Sequence, residues 1–159
     1  MVANSTHAEK MCYRSSHEHE PGLIKDVFDG FHYRSLLDTI VPAGDAEPFC
    51  YFSDKRDIAL GLSMDGFSPF KKRKQTCWPI ILFNYNLPPE ICFQKQYCIH
   101  VATVPGLNKP WDWDLFAWPL IQELIQLELG VKAFDTISKA LFLLMLISSW
   151  HLVTFPLWP

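Results

Sequence analysis

Residues 58–74 read IALGLSMDGFSPFKKRK: a short apolar run, then Asp65 and Gly66 in a turn, then four basic residues, Lys71, Lys72, Arg73 and Lys74. An apolar run of this length bounded by turn residues is the pattern of a buried strand. A carboxylate delivered at the end of such a strand, beside a basic loop, suits metal and phosphate chemistry, because hard divalent cations take oxygen ligands and cationic side chains meet phosphates. Asp-Gly is also an ordinary hairpin signal. The residues alone therefore leave Asp65 open between a turn former and an acid of a site. The basic run is equally open between a solvated loop and a phosphate contact.

Downstream, residues 77–87, CWPIILFNYNL, form a second apolar and aromatic run that closes on Pro88 and Pro89. Pro79 falls near its start, where a missing N–H is tolerated. Residues 97–104, YCIHVATV, partly alternate and stop at Pro105-Gly106, which predicts a three-strand antiparallel meander. A helix is expected next, capped by Asp112 or Asp114, with Leu115, Trp118, Ile121, Leu124, Ile125 and Leu127 at helical spacing and Gly130 as its stop. It would cover one face of the sheet. Residues 131–144 are expected to be helical from about Asp135, and 145–159, MLISSWHLVTFPLWP, have no polar face. Trp78, Phe83, Tyr85, Trp111, Trp113 and Trp118 are assigned to core packing rather than to base stacking.

Upstream, residues 1–22 are rich in Ser, His and Glu without a hydrophobic period, and read as a flexible leader. The string His17-Glu18-His19-Glu20, with Cys12 nearby, lacks the paired spacing of zinc motifs and is taken as a solvated tail. Residues 23–48 read as one or two short helices interrupted at Gly30, with Asp26, Asp29 and His32 on exposed faces, followed by a Pro- and Gly-containing loop.

At 159 residues the chain fits one domain, and 49% apolar with 19% charged residues is a globular composition. Fourteen Lys and Arg against seventeen Asp and Glu give a net charge of -3, which argues against a dedicated nucleic-acid binder and confines any basic footprint to a local stretch. The five cysteines form no CxxC pair, and the N-terminus has no apolar signal core. Free thiols in a reducing compartment, nuclear or cytoplasmic, are expected.

Three stretches carry a family resemblance: DVFDGFHYRSLLDTIV (26–41), YFSDKRDIALGLSMDGFSPFKKRKQTCWPIILFNYNLPPEI (51–91) and FAWPLIQELIQLELGVKAFD (116–135). They are similar to the transposase of CACTA-type (En/Spm-like) DNA transposons, particularly copies from basidiomycete fungi, over roughly residues 26–144. The resemblance implies an α/β, ribonuclease-H-like fold and a DDE-type phosphoryl-transfer core in which three carboxylates hold two Mg2+ ions. It places Asp65 as the first of these carboxylates, both catalytic and metal-binding, and makes Lys71, Lys72, Arg73 and Lys74 candidates for DNA contact.

Family members continue past the helix with a segment like AYLIL-x-x-GDLPAV, expected to hold the next strand and the second Asp. Here residues 145–159 differ, and their possible codons read one base earlier are compatible with that segment. The expectation is a frameshifted tail on a truncated, pseudogene-like copy. Residues 49–144 would be a partial ribonuclease-H-like core with its fourth strand missing, residues 145–159 a hydrophobic tail, and Asp65 vestigial. Such a fragment needs no cofactor, takes no small-molecule ligand, and has DNA and an intact transposase as its partners. The alternative is a membrane-associated protein anchored by residues 140–159, against which stand His151, two Ser, Thr154, Pro156 and the lack of a basic flank.

Overall fold

Aliphatic and aromatic residues in period-two runs build the centre of the molecule. The computed structural model describes residues 5–41, 48–70, 75–106, 108 and 110–148. In chain order come α1 (Ser5–Lys10), α2 (Tyr13–Ser16), a 3-10 turn (Val27–Asp29), α3 (Phe31–Leu37), β1 (Ile40–Val41), β2 (Phe49–Cys50), β3 (Ile58–Met64) and β4 (Thr76–Asn84). There follow α4 (Pro89–Cys92), β5 (Ile99–Gly106), α5 (Trp113–Glu128), β6 (Val131–Asp135), β7 (Ala140–Leu144) and β8 (Leu146–Ser148).

The main sheet has the order β5-β4-β3-β8. β3, β4 and β5 form the expected antiparallel meander, with a register shift in β4 between Ile80 and Ile81. β8 lies parallel to β3, pairing Ile58 with Leu146, Ala59 with Ile147 and Leu60 with Ser148. The fourth strand expected to be missing is therefore present. It is supplied by the first residues of the apolar tail, whose two faces are both buried at Ile147 and Ser148.

Because successive strand residues point to opposite faces, β3 feeds two cores. Ile58 and Leu60, with Ile80 and Leu82 of β4, face Leu120 and Leu124 of α5 and Phe142 and Leu144 of β7. Ala59 and Ile147 face the other way, onto Phe28, Tyr33, Leu36 and Phe52. Helix α5 begins at Asp112, whose carboxylate accepts from the backbone N–H of Asp114 and Leu115 at 3.0 and 3.3 Å. It ends before Gly130, whose φ of +95° is the left-handed conformation that stops a helix.

Residues 131–144 form a β-hairpin, not a helix. The apolar run of β7 fits either structure by periodicity, and the turn decides. Asp135 accepts from the Ile137 N–H at 2.9 Å and the Ser138 hydroxyl at 2.7 Å, and Lys139 takes a positive φ of 56°. A helix continuing from Asp135 would not tolerate the positive φ at Lys139.

The segment taken as a flexible leader is folded over its described part, 5–22. Arg14 is buried, with its guanidinium donating to the carbonyls of Asp54 (2.6 Å) and Asp57 (3.2 Å) and to the Tyr33 hydroxyl (3.2 Å), over the Phe52 ring. Met11 joins the α5-side core. Residues 140–144 and 146–148, inside the stretch considered as a membrane anchor, are strands. Among the described residues no helix is long and apolar enough to cross a membrane.

Candidate active-site end of the sheet

β3 loses burial along its length. Residues 58–61 are buried, Leu62, Ser63 and Met64 are half-buried, and Asp65 is exposed just past the strand. The carboxylate of Asp65 accepts from the N–H of Gly66 at 2.8 Å. The chain then rejoins the sheet at Phe67, which exchanges two 3.0 Å backbone hydrogen bonds with Cys77. Gly66 is required for close approach: a Cβ there would fall 2.5 Å from the ring of Trp78. Trp78 in turn packs edge-on against Trp113 at 5.7 Å, and its indole Nε1 is buried without a partner among the described residues. The first turn of α5, with Asp112 and Asp114 on either side of Trp113, is thereby joined through two indoles to the turn that holds Asp65.

The opposite end of β3 is crowded with polar side chains. Arg56 grips Asp54 through Nε at 2.9 Å and Nη2 at 2.5 Å, reaches Asp135 at 3.4 Å, and stacks its guanidinium on Phe142 at 3.9 Å. The Asp54 carboxyl is held below its ordinary range by that guanidinium. Asp57 is buried, accepts from the Asp54 N–H at 3.0 Å, and is pushed up by desolvation, with Oδ1 unpartnered among the described residues. Asn86 closes the knot: its amide donates to the carbonyls of Asp57 (2.8 Å) and Met11 (3.3 Å) and accepts from the Ala59 N–H (2.8 Å).

A second polar cluster gathers on Asp29, which sequence reasoning placed on an exposed face. Asp29 is buried. Its Oδ1 accepts from His17 and His19, each at 2.9 Å, and its Oδ2 from the N–H groups of Lys25 and Asp26 at 2.7 and 2.9 Å. Arg34 donates to His19 Nε2 at 3.2 Å. Since Arg is a donor only, that contact makes Nε2 the acceptor and leaves Nδ1–H to face Asp29. His17 and His19 are thus clasps that fasten the leader, the one signal in the sequence being their alternate spacing.

Of the other acids that follow Asp65, Asp135 is engaged by Arg56 at the far end of β3, about 20 Å away at ~3.3 Å per strand residue. Glu123 is exposed on α5, and Asp112 serves as the helix cap. Lys71, Lys72, Arg73 and Lys74 lie outside the described residues. Of the aromatic residues, Trp78 and Trp113 pack together and Phe83 and Tyr85 meet Phe93, whereas Trp111 and Trp118 are exposed, contrary to their assignment to the core. Among the described residues no three His, Cys, Asp or Glu are grouped to hold a metal ion.

Residues 44–158 match the family described as Transposase family tnp2. The chain belongs to that transposase family. The transposase match takes in the whole main sheet, α5, the β6–β7 hairpin and the apolar residues that follow, and it begins after the segment carrying Arg14, His17, His19 and Asp29. No curated protein and no solved structure matches the chain.

Proposed function

We propose that this chain is a piece of the catalytic core of a CACTA-type, DDE-type DNA transposase with a ribonuclease-H-like fold, in which Asp65 stands for the first of three carboxylates. The observation that carries the reading is the position of Asp65. It follows the central strand β3, between antiparallel β4 and parallel β8, at the carboxyl end of β3, the direction in which β8 also runs. Open α/β sheets place their ligands at such ends. The order of three antiparallel strands, a helix, and a strand parallel to the first supports the ribonuclease-H-like assignment.

The chain's own residues do not fit a two-Mg2+ clamp, which needs acids converging from different strands. Asp65 belongs to no group of three His, Cys, Asp or Glu among the described residues, and positions 136–159 contain no Asp or Glu, so the strand beside β3 brings none. We infer that the chain by itself does not cleave DNA. What it keeps is a local basic run, Lys71 to Lys74, a few residues after Asp65 in the sequence. This supports weak, sequence-independent DNA contact or an association with an intact transposase.

Incubating the purified chain with duplex DNA and Mg2+ tests this: no nicking is expected, with or without Asp65→Asn. Cleavage that Asp65→Asn abolishes would overturn the inactive reading. DNA binding is read from its salt dependence, where replacing the four basic residues by Gln should lower the log–log slope by about 3–4. The truncated origin of the copy is tested at its genomic locus, where the absence of GDLPA-like transposase sequence in the shifted frame sinks it.

A further inference from the structure

Helix α5 is apolar on two sides. Its inner seam, Ala117, Leu120 and Leu124, is buried against the sheet. On the outside, Leu115, Trp118, Ile125 and Leu129 are 70%, 55%, 52% and 70% exposed, and Gln122 stands between them. The spacing 115, 118, 122, 125, 129 alternates three and four, which is the a/d repeat of a helix–helix seam. A helix that is apolar all round needs cover on both sides.

The stripe does not stop at the helix end. A Cβ on Gly130 would lie 2.7 Å from Leu143, so Leu129 leads directly onto the outer face of the β6–β7 hairpin, where Phe134, Leu141 and Leu143 are also about half exposed or more. At about 150–200 Å2 per full side chain, these fractions leave on the order of 700 Å2 of apolar surface in contact with water. That exceeds the ~300–600 Å2 patch of a typical monomer and approaches the ~800 Å2 per partner of a standard interface.

We propose that this face joins two copies of the chain side by side, with their α5 helices parallel. Charge argues for the occupant: α5 carries Asp114, Glu123 and Glu128 and no Lys or Arg, a flank that repels phosphate surfaces of nucleic acid or anionic lipid. Gln122 argues for a second copy. In a parallel pair the two-fold axis runs along the seam, so Gln122 faces its own copy, where one amide can donate to the other and accept from it. A lone polar residue in an apolar seam fixes register and two-strandedness. Orientation follows from the margins: antiparallel helices would set Asp114 of one copy against Glu128 of the other, whereas parallel ones set Asp114 against Pro119 and Ile121 against Gln126. The interface is independent of any phosphoryl-transfer role for Asp65.

Sedimentation equilibrium of the full chain over a concentration series tests the proposal. A reversible dimer is expected. Trp118→Glu and Ile125→Glu, both at exposed positions, should leave the circular dichroism and urea midpoint of the monomer unchanged and weaken association at least ~30-fold. Gln122→Leu should tighten association or raise the oligomer number. A chain that is monomeric at every concentration, or self-association that persists unchanged in both Glu variants, overturns the proposal.

Discussion

The two ends of β3 are built on opposite plans. At the amino end Arg14, Asp54, Arg56, Asp57, Asn86 and Asp135 engage one another or the backbone, so that apart from Asp57 Oδ1 buried charge is met by a partner. At the carboxyl end Asp65 is exposed and its recorded bond is to the N–H of the next residue. Groups of the first kind hold the fold, since removing one leaves the others unsatisfied in a dry interior. A group of the second kind costs the fold little and is free for chemistry, provided that other acids join it.

The sharpest way to break this contrast is Arg14→Ala. Three hydrogen bonds from a buried guanidinium would be lost, although the Asp54 and Asp57 carbonyls keep the Asp57 N–H and the Asn86 amide as donors, and a loss of about 3 kcal/mol in urea unfolding is expected. An unchanged midpoint would restore the leader to the flexible tail that its composition suggests. Gly66→Ala comes next, because the added methyl must displace the Trp78 ring from its place against Trp113. About 1–3 kcal/mol is expected, with a shift in tryptophan emission as the second readout.

Acid titration separates the Asp29 cluster from both ends. The hydrogen bonds from His17, then His19, hold the Asp29 carboxyl well below the usual carboxylate range. A depressed folded value means that the stabilisation is fully present above about pH 4, the unfolded value, and is lost as pH falls through the folded one. Asp29→Asn should therefore lower stability at neutral pH and flatten the acid limb of the stability curve. A parallel curve would show that the two histidines do not fasten the leader. The smallest effect is expected at the other end of the contrast, where Asp65→Asn should change stability by less than about 0.5 kcal/mol in the same urea assay.

The meander and α5 were legible because each carries its own punctuation. Pro88-Pro89 and Pro105-Gly106 close two strands, Asp112 caps the helix and Gly130 stops it. The hairpin was not legible, since Asp135 and Ser138 shape its turn through side-chain hydrogen bonds and Lys139, not glycine, takes the positive φ. β8 was hidden for a different reason: two apolar residues and a serine become a strand only when the edge of β3 is there to pair with them. The Arg14 and Asp29 clusters join residues far apart in sequence, and polar composition alone reads as solvation. For the site, Asp65 was found by its place after a strand, while the knot at the other end of β3 left no local pattern to read.

The parallel pairing of β3 with β8 also sets an order of events. Ile58 cannot meet Leu146 until nearly all of the chain described here has left the ribosome, and closing so long a loop is slow. Until then β3, the most buried strand of the sheet, is an open edge. A chaperone that shields nascent strands would find its binding window there, and the window shuts when three late residues, Leu146, Ile147 and Ser148, arrive.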